Sequence, residues 1–465
     1  MEFQNPHVAL FASPGMGHLI PLVAFSKRLL SLFGFHSTIF VATTTTTTTD
    51  QTQFLDSLHL PSTIRIVYLP PPNITAFVTA HTAVVTRIHI TVRESIPALR
   101  AALAVMSPQP SIFVVEMFGT RTFTVAEELR IPKYVYIPTT AAFLALMVYV
   151  PTLHKEIKGE YVDMQEPIRI PSCKPIRVED LIDSMMDRKK EPYDYCVHMG
   201  STLPQADAIL INTWEDLEPI TLRALREDPI LREIMPIQIY PVGPIIMESS
   251  SCDQSHAECM TWLDQHPVES VIYVSFGSGG TLSEEQLTEL AWGLELSQKR
   301  FLWVVRPPAG KDGSFFNLRG GDGAWPLFAE QRMNAAVVAE DVGAGVRTEE
   351  LPTKKVVGRE EIEKLVRLVM EKEGEEMRRR MKEVKKSGLR AIGEGGSSRD
   401  WLSYVAQQWK IGYAKIRQGM GEGLNGLTFY LQSAFLFSLS FFKSLRIIAV
   451  KRLHRQQAIA VAVEL

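Results

Sequence analysis

Residues 7–33, HVALFASPGMGHLIPLVAFSKRLLSLF, decide the fold. A short apolar run from His7 to Ala12 enters the turn SPGMGH, where glycines let the backbone bend tightly, and an apolar-periodic stretch follows from Leu19 to Phe33. The pattern reads strand, turn, helix. It recurs downstream, with strands expected at 37–42, 64–69, 111–115 and 134–137 and helices at 84–106 and 123–129. Strands that alternate with helices build βαβ units and a mostly parallel sheet. The threonine run Thr43–Thr49 follows a strand end and reads as a loop.

A second alternating series starts near residue 271. Before it lies a polar, turn-rich segment, ESSSCDQSH at 248–256, placed after the PVGP turn at 241–244. The series then reads as a strand at 271–275, the turn FGSGG, a helix at 283–296, a strand at 301–305 and a glycine-rich loop. A helix at 330–339, a strand around Val346 and a charged helix or helix pair at 360–386 complete it. These readings divide the chain into a first domain at 1–247, a linker at 248–260, a second domain at 261–410 and a tail at 411–465.

Composition narrows the function. The 465 residues are 46% hydrophobic and 22% charged, which excludes collagen-like, disordered and disulfide-scaffold chains and leaves room for two or three domains. Lys and Arg number 49 against 52 Asp and Glu, so the basic excess of a nucleic-acid-binding protein is missing. Cys173, Cys196, Cys252 and Cys259 form no C-x-x-C pair, so neither a zinc site nor a disulfide framework is expected, and no metal. No secretory signal opens the chain, and a cytoplasmic monomer is expected. The uncharged run Leu427–Phe442 holds 16 residues. A spanning helix wants about 20, so a tail anchor is the less favoured reading of it.

Three motifs carry chemistry. The turn SPGMGHLIP, Ser13–Pro21, sits at the carboxyl end of the first strand, where open α/β sheets bind ligands, and puts His18 at the mouth of a helix. A general base and a structural histidine bonding the turn both fit that spacing. Glu116 ends another strand, in SIFVVEMFGT. It orients His18 if the two strands are neighbours, or pairs with nearby Arg121 if they are not. The loop SFGSGG, Ser275–Gly280, exposes backbone N–H groups around Gly277 and adds the Ser278 hydroxyl, an arrangement suited to a diphosphate or to a plain tight turn. Ser283 with Gln286 resembles a capping box for the helix that follows.

Taken together, SPGMGHLIPL, the run from Cys259 to Arg306 (CMTWLDQHPVESVIYVSFGSGGTLSEEQLTELAWGLELSQKRFLWVVR) and WPLFAEQRMNA at 325–335 resemble the plant UDP-sugar-dependent glycosyltransferases. Within that family they are most similar to the branch that glucosylates hydroquinone and other simple phenols. The resemblance covers residues 5 to 410. It implies the GT-B architecture, two Rossmann-like domains facing across a cleft, with a phenolic acceptor bound by the first and UDP-glucose by the second. It also implies His18 as general base and Glu116 where the family has Asp, one methylene shorter. Thr139 falls in a region that contacts the sugar, Ser278 with Gly277 meets the diphosphate, and Glu330 with Gln331 grips the glucose hydroxyls. No cofactor is implied, since UDP-glucose is the donor substrate.

The chain departs from the family in one place. The family's donor box runs from Trp-Ala-Pro-Gln through His-Cys-Gly-Trp-Asn-Ser to the acidic-Gln pair, whereas here SFFNLRGGDGA passes straight into WPLFAEQ. No His occurs between His266 and His454, and no Cys follows Cys259. Uracil stacking, the ribose-binding Glu and the diphosphate His go with the box. The second sheet is expected to lack its middle and to expose new edges. A deleted exon with a mis-spliced end accounts for both the gap and the unfamiliar tail. The expected function is inverting O-glucosylation of small phenols, and the alternative is an impaired or inactive homologue that lacks a working donor site.

Overall fold

The computed structural model describes residues 5–44, 55, 58, 60–79, 81–247, 254–276, 282–305, 329–348, 355–419 and 458–460. Seven strands form one sheet: β1 His7–Ala12, β2 His36–Val41, β3 Ile64–Tyr68, β4 Ile112–Glu116, β5 Lys133–Ile137, β6 Ala208–Ile211 and β7 Gln238–Pro241. All pairs are parallel, in the order β3-β2-β1-β4-β5-β6-β7. The inner strands are buried on both faces, which is why IFVVE and AILI show no polar alternation. Strand order reverses between β1 and β4, and the crevice at their carboxyl ends is where this topology seats a ligand.

The turn after β1 needs its glycine. Gly15 takes φ 115° ahead of the helix Met16–Phe33, and Gly34 closes that helix at φ 71°, both in the region that favours a residue without Cβ. One face of the sheet is covered by helices Val84–Ala104, Ala141–Glu156 and Glu191–Thr202. Helix Met16–Phe33 covers the other face together with the far helix Ser397–Gly419, whose Leu402, Val405, Ala406 and Trp409 join its core. Trp409 is 1% exposed, with ring centroids 5.2 Å from Tyr134 and 6.1 Å from Phe35. The boundary expected at residue 410 therefore falls inside a helix that packs on the first sheet.

The second sheet is small. Strands β8 Val271–Val274, β9 Arg300–Trp303 and β10 Ala458–Ala460 pair in parallel, in the order β10-β8-β9. The second sheet is expected from the sequence to expose new edges. The tail supplies β10 on the β8 edge, with Ile459 opposite Ile272. Helices Glu284–Leu296 and Arg359–Met370 cover this sheet through Leu290, Leu294, Ile362 and Val366. A Cβ on Gly293 would lie 2.5 Å from Ile362, so the close helix contact requires glycine. Trp292 at 50% and Val305 at 63% exposure mark how thin this core is.

Several expected elements change. Residues 254–260 of the expected linker belong to helix Gln254–Asp264, and no strand forms at Val346. The helix at 330–339 is shorter, Gln331–Ala336, and widens into a π-helical turn at Val337–Val342. The charged region is a helix pair, Arg359–Met370 and Glu375–Ile392. The run 427–442 lies outside the described residues. Among those described, only Met16–Phe33 is long and apolar enough to cross a membrane, and it lies in the core of the first sheet.

Candidate active site

The site forms at the reversal point because β1 and β4 pair with Phe11 opposite Val115, so Glu116 leaves the sheet beside the turn that carries His18. Glu116 is fully buried. Its Oε1 lies 3.1 Å from His18 Nδ1, while Oε2 accepts from Ser13 Oγ at 2.5 Å and from the Phe118 N–H at 3.3 Å. A carboxylate only accepts, so Nδ1 carries the proton and Nε2 keeps the lone pair. Arg121 takes no part in this. Its guanidinium lies over the ring of Tyr195, 5.9 Å from the centroid.

His18 retains 17% side-chain exposure and meets the Phe118 ring edge-on at 5.1 Å. Burial works against its charge, yet the charge and hydrogen bond of Glu116, with a smaller contribution from Glu330, raise its pKa above the ordinary value. Glu330 is raised as well, by burial first, and the charge of His18 partly opposes that. The structure thus brings His18, Glu116 and Glu330 into one electrostatic cluster, while the buried Thr139 hydroxyl has no hydrogen-bond partner among the described residues. Gln331 opens the helix that follows Glu330. Gly277 and Ser278 lie outside the described residues.

Glu330 reaches this cluster because its segment is strapped to the first domain. Ala329, at φ 56°, donates its N–H to Asp183 Oδ2 at 2.7 Å. Arg332 donates to Asp183 Oδ1 at 2.6 Å and to the Leu181 carbonyl at 2.8 Å, and the Thr140 hydroxyl donates to Asn334 at 3.2 Å. Further along, Lys174 meets Asp341 at 2.5 Å, Arg177 meets Glu340 at 2.5 Å, and Arg347 bridges Asp180 and Glu340. A non-glycine residue in the left-handed region costs roughly 1–2 kcal/mol, which the Asp183 contacts offset. Sequence reasoning missed Ser13 and Asp183. Ser13 stood inside the quoted turn, but its partner was visible only once β4 lay beside β1.

Among the described residues no group of three His, Cys, Asp or Glu side chains is placed to hold a metal ion. The fold and this crevice can be set beside known proteins. Anthocyanidin 3-O-glucosyltransferase 5 of Manihot esculenta is 41% identical over 468 residues, covering 87% of this chain and 96% of that protein. This chain belongs to the plant UDP-glycosyltransferases. Hydroquinone glucosyltransferase of Rauvolfia serpentina is 34% identical over 469 residues, covering 87% of this chain and 98% of that protein. The structure of Phytolacca americana UGT2 with UDP-2-fluoro-glucose and pterostilbene superposes with a TM-score of 0.76 at 36% identity, over 87% of this chain and 99% of that one. The architecture of this UDP-glycosyltransferase is GT-B. No protein-family model matches the chain. The alignment to the Manihot relative spans 468 residues yet uses 87% of a 465-residue chain, so stretches of that relative face no residue here.

Proposed function

We propose that this chain transfers glucose from UDP-glucose to the hydroxyl of a small phenol with inversion, and that His18 is the base. The His18–Glu116 pair at the strand-order reversal carries the reading. Nε2 of His18 takes the phenolic proton, and Glu116 steadies the imidazolium. The phenolate oxygen then forms a bond to the anomeric carbon as the bond from that carbon to UDP breaks, and a β-glucoside and UDP leave. Thr139, Glu330 and Gln331 are assigned to the glucose hydroxyls, and Ser278 with Gly277 to the diphosphate, whose charge meets N–H groups and hydroxyls without a metal ion. The setting is a cytoplasmic monomer. Relatives named for hydroquinone and anthocyanidin support a phenolic acceptor. His18→Ala is expected to lose turnover of hydroquinone with UDP-glucose, and unchanged turnover removes the base assignment.

A second reading rests on the missing donor box. With no His between His266 and His454, the uracil, ribose and diphosphate contacts of that box have no residues to make them. In this reading the chain keeps an acceptor pocket and holds UDP weakly or not at all. Each lost hydrogen bond is worth about 0.5–1.5 kcal/mol, so several together raise the KM for UDP-glucose by two orders of magnitude or more, about 100-fold. Calorimetric titration with UDP separates the two readings. Heat that saturates at submillimolar UDP favours the enzyme, and a flat trace to millimolar UDP favours the binding protein.

A further inference from the structure

Beyond Phe118, a group of polar side chains takes no part in the chemistry proposed above. Phe118 meets His18 and His89 edge-on, each at 5.1 Å between ring centroids. His89, on helix Val84–Ala104, stacks on Tyr195 of helix Glu191–Thr202 at 4.1 Å. It is 3% exposed, and neither ring nitrogen has a hydrogen-bond partner among the described residues. Arg121, over the same tyrosine, has a buried Nε without a partner, and no carboxylate pairs with it among the described residues. His198, three residues on from Tyr195, adds a buried Nε2 that is also idle. Buried polar atoms are nearly always met by a partner. Here three neighbouring side chains are not, and all of them can donate.

The local field has one sign. Burial and then the charge of Arg121 hold both histidines below their ordinary value, His89 down to about 3. Arg93, the next cation, is already paired with Glu94 at 2.7 Å. A guanidinium without a counter-charge among the described residues, flanked by imidazole N–H groups and partly exposed, suits a planar carboxylate. The His89 ring lies across Phe118 from His18, with an edge-on contact of 5.1 Å on each side of that ring.

We propose that His89, Arg121 and His198 form an anion subsite beside Phe118, which takes the carboxylate of a phenolic acid whose hydroxyl lies at His18. This rests on the reading of the His18 crevice as the acceptor site. Calorimetric titration of the full chain with 4-hydroxybenzoate, hydroquinone and benzoate tests it, in the wild type and in Arg121→Gln. The wild type is expected to bind 4-hydroxybenzoate about 10-fold tighter than hydroquinone, and Arg121→Gln brings the ratio to about one. Equal affinities in the wild type, or a ratio that survives Arg121→Gln, overturn the subsite. Benzoate has no hydroxyl for His18. Benzoate bound in an Arg121-dependent way with hydroquinone unbound keeps the subsite and removes the acceptor reading, and failure of all three ligands overturns both. A second variant, His89→Phe, keeps the stack on Tyr195 and is expected to weaken the two carboxylates more than hydroquinone.

Discussion

His18 is pulled in two directions, and the balance can be measured. Burial favours the neutral ring, Glu116 favours the cation, and the net shift of the pKa is upward. An NMR titration of the ring is therefore expected to give a pKa above 6.5, with the acid limb of any turnover on the same side. Glu116→Gln removes the larger opposing charge while burial stays, so the value is expected to fall, and an unchanged value contradicts the pairing. The linkage has a matching sign. A raised pKa contributes stability that is complete below the unfolded value and fades as pH rises through the folded one. How much of this was legible differs by residue. His18 and Glu116 stood at strand ends in the sequence, but the choice between His18 and Arg121 as the partner of Glu116 depended on β4 lying next to β1. Ser13 donates to Glu116 across 103 positions, which no local pattern encodes.

At the scale of elements, the segment 329–348 owes its place to the first domain more than to its own sheet. Arg332, 6% exposed at its side chain, donates to Asp183 and to the Leu181 carbonyl. Asp183→Ala is expected to cost about 1–3 kcal/mol in urea unfolding and to free Glu330 from the cluster, which then lowers the His18 pKa. A variant with wild-type stability and an unshifted His18 removes the strap from the account. The alternation of apolar runs made β1 to β5 readable. Strands β6 and β7 passed unread, since a four-residue apolar run between helices carries no period of its own. Residues 397–410 fall by position in the expected second domain, yet Trp409 packs against Phe35 and Tyr134. Packing partners that far apart in sequence leave no local trace.

At the scale of the molecule, the two halves are unequal. Among the described residues, a seven-stranded sheet with helices on both faces is accompanied by a three-stranded one with an outer strand from the tail. The missing donor box was plain in the sequence because it is an absence of residue types, His and Cys. That the tail lends a strand was not, because Ala458–Ala460 is too short to read as one. Removing residues 456–465 is expected to bare the β8 edge, lowering the thermal midpoint and raising light scattering on heating. A truncated chain that melts like the full one contradicts that role.

The central claim is that the acceptor-activating half of a glucosyltransferase works here despite a reduced donor site. The direct test is product formation from hydroquinone at millimolar UDP-glucose, followed by NMR of the anomeric proton. The account predicts a β-glucoside made by the wild type and lost in His18→Ala. No glucoside at any donor concentration, or equal amounts from both proteins, would contradict it.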